Sequence, residues 1–125
     1  MESNIQLITH DLLAAIQRNM QQAKACYILT SFVMNSGVKL LEQSLREAAE
    51  RGCDIKVMTG DYLYITQPEA LQKLINIHPS IEVRLWKSRG TSFHPKAYMF
   101  EQEQEGLFIV GSSNLSRSAL TKGGE

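Results

Sequence analysis

No stretch of this 125-residue chain approaches the roughly 20 apolar residues that cross a bilayer, so a membrane-embedded protein is not expected. No basic segment leads into an apolar run at the N-terminus, where Met1-Glu2-Ser3-Asn4 is polar, and a secretory signal is not expected either. Cysteine is scarce. Cys26 and Cys53 are the only two, both in apolar context, which points to buried thiols in a reducing cytoplasm. His, Cys and the acids do not fall at zinc-like spacings, so neither a metal nor another cofactor is expected. Nothing reads G-x-x-x-x-G-K-[ST], which excludes a P-loop within these residues. Net charge is lacking too. Thirteen basic and thirteen acidic side chains cancel, so total charge selects no partner.

The distribution of charge says more. Residues 83–100 contain Arg84, Lys87, Arg89 and Lys96 and no acid. Residues 106–124 add Arg117 and Lys122, again without an acid. A locally basic face suits a polyanionic substrate. Hydrophobic and charged fractions of 43% and 21% are ordinary for one soluble globular domain spanning residues 1–125.

Strands and helices alternate along the chain. Thr9 caps a helix in which Leu12, Leu13, Ile16 and Met20 recur at helical spacing. The apolar run from Ala25 to Val33 suits a buried first strand, and Asn35-Ser36-Gly37 punctuates it. Val38, Leu41, Leu45 and Ala48 form the stripe of a second helix that stops at Gly52. Asp54 to Met58 is expected as a strand, and Pro68 to His78 as a third helix. Ile81 to Trp86 alternates as a strand, which predicts Trp86 in the core beside the methionines Met20, Met34, Met58 and Met99. Phe93 to Phe100 and Leu107 to Val110 follow as an antiparallel hairpin, and a short helix begins at Ser116. The pattern predicts an α/β protein with a mixed, mainly parallel sheet.

The chemistry is concentrated near the C-terminus. His94-Pro95-Lys96 is followed, after a gap of fourteen residues, by Gly111-Ser112-Ser113-Asn114. An imidazole and an ammonium two residues apart share one face of a strand. Together these residues supply a nucleophile, a cation and neutral hydrogen-bond donors, as attack on a phosphodiester requires. His94 is the candidate nucleophile, and Lys96 the group that holds a non-bridging oxygen. Asn114 and Ser112 are candidate donors to the same phosphoryl group. Ser113, Arg117, Lys87 and Arg89 are candidate substrate-binding residues around them. Tyr62 and Tyr64 fit packing positions more readily than a substrate groove.

These residues resemble the HKD motif of the phospholipase D superfamily. Glu101 stands where the usual motif has Asp, and nine residues, Gln102 to Val110, precede Gly111. The resemblance implies an α/β/α sandwich and metal-independent cleavage through a phosphohistidine. Nucleases of the superfamily carry a Glu eleven residues beyond the Asn. Glu125 stands there, which implies a carboxylate that fixes the His94 tautomer. Thr59-Gly60-Asp61-Tyr62-Leu63, Ser92 to Tyr98 and Gly111 to Leu120 also look like the phospholipase D-like domain of bacterial superfamily-2 helicases and of related restriction endonucleases. That implies a nucleic-acid substrate, DNA foremost, and a covalently linked helicase domain beyond residue 125.

One motif is present where the superfamily uses two. His10 and His78 lack the pattern, so the resemblance implies a homodimer with two copies of His94 facing across a two-fold axis. Two other readings stand beside this one. One is a binding or dimerisation module on the same fold. The other is a phospholipid phosphodiesterase, which the absence of an apolar acyl-binding insertion disfavours.

Overall fold

The second helix shows how the sequence builds the fold. Its apolar residues recur every three or four positions, so Val38, Leu41, Leu45 and Ala48 fall on one stripe, and all four are buried. The computed structural model describes residues 2–7, 12–31, 33–60, 68–86, 97–102 and 105–110, with backbone alone for 2–7, 105 and 107–110. Helix α2 spans Asn35–Glu50. Asn35-Ser36-Gly37 is therefore the first turn of α2, not a break before it. Met34 is its N-cap in extended conformation, and its carbonyl accepts from Gly37 and Val38 at 3.0 and 3.2 Å.

The helix ends as its glycine predicts. Gly52 adopts φ +97°, a left-handed conformation that side-chain-bearing residues avoid. That turn lets Gly52 N–H donate to Ala49 O at 3.0 Å and Cys53 N–H to Ala48 O at 2.9 Å. The pair is a Schellman motif, which satisfies carbonyls the helix end leaves open. Arg51 serves a second helix end. Its guanidinium donates to Met20 O at 2.8 Å and Ala23 O at 3.2 Å, tying α2 to the end of α1 (Leu12–Met20).

Six strands form one sheet in the order β1-β6-β5-β2-β3-β4. They are β1 (Glu2–Leu7), β2 (Ala25–Thr30), β3 (Asp54–Gly60), β4 (Glu82–Trp86), β5 (Ala97–Glu101) and β6 (Glu105–Val110). Only β5 runs against its neighbours, so the sheet is mixed and mainly parallel. Helix α3 spans Pro68–Ile77. The crossovers β1-α1-β2, β2-α2-β3 and β3-α3-β4 all progress the same way across the sheet. Right-handed connections then put their helices on one face. Burial agrees. Cys26, Ile28, Ile55, Val57, Tyr98 and Phe100 join Leu12, Ile16, Leu41, Leu45 and Leu74 in one core. Fully burying each large side chain contributes about 1.5–3 kcal/mol.

Strand β1 is an addition to the sequence reading, which begins the sheet at Ala25. ESNIQL carries few β-formers, and its place at a sheet edge follows from pairing with β6 rather than from its own composition. Trp86 and Met58 are corrections. They are 47% and 37% exposed, and Leu85 is 46% exposed. Alternation sorts side chains between two faces but does not say whether a face is covered. Met20 is fully buried as expected, while Met34 and Met99 are only partly so. The expected Thr9 cap, Tyr62, Tyr64 and the helix from Ser116 lie outside the described residues.

Candidate functional site

One row of Cα partners crosses the whole sheet. Leu7 pairs with Val110, Val110 with Ala97, Ala97 with Leu29, Leu29 with Met58, and Met58 with Arg84. The row lies near the carboxyl ends of β1, β2, β3, β4 and β6 and at the start of the reversed strand β5. Ligands of open α/β sheets bind outside the carboxyl ends of the strands.

Chain connectivity links this end of the sheet to every segment that the sequence singles out except Glu125. Lys96 is bonded to Ala97 and Gly111 to Val110, and Ala97 and Val110 are themselves partners. Lys87 follows Trp86, the last residue of β4. His94, Lys96, Ser112, Ser113, Asn114, Arg117, Lys87, Arg89 and Glu125 themselves lie outside the described residues. The described strands bring the flanks of both motif halves together.

The reversed strand is what makes this possible. In a hairpin, the residue before the first strand and the residue after the second emerge at the same end. Tyr98 and Phe100 anchor β5 by burying their rings in the core, at 0% and 1% exposure. Burial also pushes the Tyr98 hydroxyl pKa far up, with the Cys26 thiol beside it acting in the same sense, so the phenol is a neutral core group and not an acid-base participant.

His78 sits at the other end. It precedes β4, whose five residues place it roughly 16 Å or more from the carboxyl ends. Its Nδ1 accepts from Ser80 N–H at 3.1 Å and contacts Ser80 Oγ at 2.9 Å, which fixes the turn before β4. That arrangement makes His78 a turn residue at the opposite end of the sheet from the motif flanks.

A family model described as "Cardiolipin synthase, PLD-like domain" matches residues 16–125. The chain belongs to this phospholipase D-like family. No curated protein matches the chain. Membership brings phosphodiester chemistry in general to the domain, and the α/β sheet accords with it. The matched span contains both halves of the motif, from His94 to Asn114, and leaves β1 outside. Among the described residues, no helix of this phospholipase D-like domain is long and apolar enough to cross a membrane.

The sequence reading gave no weight to the second face of the sheet. Tyr27, Leu29, Met58, Arg84 and Met99 line an open groove of about 410 Å³ there. Its charges are paired locally, Lys56 with Asp54 at 3.4 Å and Arg84 with Glu82 at 2.7 Å. Lys56 also lies 5.5 Å from the centre of the Tyr27 ring, and the Tyr27 hydroxyl donates to Asp54 at 3.2 Å. The available signal was Asp54 and Lys56 alternating with Ile55 and Val57, which marks a face that no described helix covers.

Proposed function

We propose that this phospholipase D-like domain is a metal-independent phosphodiesterase of nucleic acid, with DNA as its first substrate. The observation that carries the reading is the Ala97–Val110 pairing, which supports convergence of H-x-K and G-S-x-N on one phosphoryl group. His94 attacks phosphorus, a bond from nitrogen to phosphorus forms, and the bond to the leaving oxygen breaks. That oxygen takes a proton from a second histidine. Water then attacks phosphorus, gives a proton back to that histidine, and the nitrogen–phosphorus bond breaks. Lys96, Asn114 and Ser112 hold the oxygens on which charge builds, and Glu125 orients His94. Ser113, Arg117, Lys87 and Arg89 bind the rest of the substrate.

The second histidine is His94 of a second copy. The remote place of His78 supports that assignment, and a two-fold homodimer through the His94 side follows. A phospholipid substrate is the second reading, favoured by the family's own description. Excess basic charge in residues 83–100 and 106–124 weighs toward a polyanion.

The test offers labelled DNA, RNA and phosphatidylglycerol vesicles to the full chain in EDTA. DNA cleavage in chelator is the expected result. Cleavage of vesicle lipid alone would replace the nucleic-acid reading with the lipid one. DNA cleavage that requires added Mg²⁺ would sink the phosphohistidine route.

A further inference from the structure

We propose that Thr30 is a positioning residue for Lys96: its hydroxyl accepts a hydrogen bond from the Lys96 ammonium and aims that cation at the phosphoryl group. This deepens the phosphodiesterase reading above and rests on it for the role of Lys96. Three observations carry it. Among the described residues, the buried polar side chains are Thr30, Ser31 and Thr59. All three lie at the carboxyl ends of β2 and β3, the end where both motif segments join the sheet. Leu29 is the Cα partner of Ala97. Thr30 is bonded to Leu29 and Lys96 to Ala97, so each stands one residue beyond that pair at the same end.

Covalent geometry limits their separation. One Cα step of 3.80 Å on each side of an antiparallel pair 4.5–5.5 Å apart keeps the two Cα atoms within roughly 13 Å. Side-chain alternation puts Thr30 on the core face, because Cys26 and Ile28 precede it at two-residue steps and both are buried in the core. Tyr98, the partner of Ile28, is buried in the same core. The strand expected over Phe93 to Phe100 gives Lys96 the Tyr98 face, so the hydroxyl and the ammonium are assigned to one face of neighbouring strands.

Burial alone does not favour threonine here. Valine has a similar shape and suits a buried strand, as Val57 does two positions before Thr59. A hydroxyl taken from water destabilises the fold unless it is hydrogen-bonded. Thr59 donates to Gly60 O at 3.3 Å, within its own strand, and lies one strand further from β5. Thr30 is on the strand beside β5. An ammonium donates three hydrogen bonds and accepts none, while a hydroxyl oxygen can accept. With one proton on Thr30, Lys96 keeps two for phosphate oxygens.

The experiment is a double-mutant cycle on the full chain. Turnover of labelled DNA and of bis(p-nitrophenyl) phosphate is measured in the wild type, Thr30→Val, Lys96→Ala and the double variant. Thr30→Val should lower turnover about ten-fold, as loss of a hydrogen bond to a charged group does. In the Lys96→Ala background the same change should matter by less than about two-fold, since its partner is already gone. Thr30→Ser, which keeps the hydroxyl, should restore turnover, and Thr59→Val should retain it. Thermal unfolding checks that each variant folds. Should Thr30→Val not fold, Thr30→Ala against Thr30→Ser makes the same comparison. Should Lys96→Ala turn over too slowly to measure, the serine rescue and the Thr59→Val control decide. Equal losses in both backgrounds, or a loss as large in Thr30→Ser or Thr59→Val, overturn the positioning role and leave the nuclease reading standing if DNA is cleaved. Cleavage of the small diester without DNA overturns the nucleic-acid reading, and the cycle on that diester still decides the role of Thr30. A wild type that cleaves neither overturns both.

Discussion

Ala97 and Val110 are Cα partners across the antiparallel β5–β6 pair, thirteen positions apart in sequence. Lys96 precedes one and Gly111 follows the other. The pairing gives the nine-residue spacing from Gln102 to Val110 a simple consequence. Residues added between β5 and β6 fall at the far end of the pair, and the ends that join the motif segments stay together.

His94→Ala is expected to abolish turnover and leave DNA affinity nearly unchanged, since a neutral imidazole attracts phosphate little. Lys96→Ala should lower turnover by about 10²–10³, the usual cost of a lost oxyanion donor. It should also reduce the slope of log affinity against log salt by about one, because one phosphate contact is gone. Single-turnover cleavage and salt-dependent anisotropy measure both. If the wild type cleaves nothing while Lys96→Ala still weakens binding, the domain is a binding module.

The full chain should be a dimer at micromolar concentration, burying at least the roughly 1,200 Å² of a specific interface. Sedimentation velocity reads the mass. His10→Ala should keep turnover within about two-fold, because the second proton donor comes from the other copy. A fully active monomer, or a loss in His10→Ala equal to that in His94→Ala, would show that one chain supplies both histidines.

What the sequence disclosed and what it hid have physical causes. The helices were legible because Leu41 and Leu45, or Leu12 and Ile16, each bury one stripe, and that periodicity is written locally. Gly52 was legible because its positive φ admits few other residues. Strand β1 was hidden because its place depends on β6, about one hundred residues away. Trp86 was misplaced because exposure depends on what covers a face, a tertiary property. The motif residues were singled out by spacing and chemistry, and the meeting of their flanks at Ala97 and Val110 becomes intelligible only through the reversed strand.

Gly52→Ala should destabilise the domain by about 1 kcal/mol. No atom lies within 4 Å of where its Cβ would stand, so the cost comes from the φ of +97° and not from a clash. Gly52→Asn should cost less, because asparagine tolerates the left-handed region. Urea unfolding midpoints should rank glycine, asparagine, alanine. Equal midpoints would remove the Schellman turn from the stabilising features.

The domain should lose stability at alkaline pH through groups buried in its core. Burial, with the nearby Cys53 adding to it, raises the Cys26 thiol far above the ordinary cysteine range. Tyr98 is raised for the same first reason, burial. Both are protonated in the folded and unfolded chains below about pH 8, so their contribution is complete there. As pH rises past about 8.5, the unfolded chain releases the Cys26 proton and the folded chain keeps it. The unfolded state then binds fewer protons, and stability falls with pH. Tyr98 adds to the fall above about pH 10. The slope contributed by each group approaches about 1.4 kcal/mol per pH unit. Cys26→Ala should lower stability at pH 7 by opening a small cavity, yet flatten the decline between about pH 8.5 and 10. Burial raises the Cys53 thiol as well, with Arg51 acting in the opposite sense, and leaves a residual slope of the same sign. Urea titrations at stepped pH measure this directly. An undiminished slope in Cys26→Ala would assign the alkaline loss to other groups.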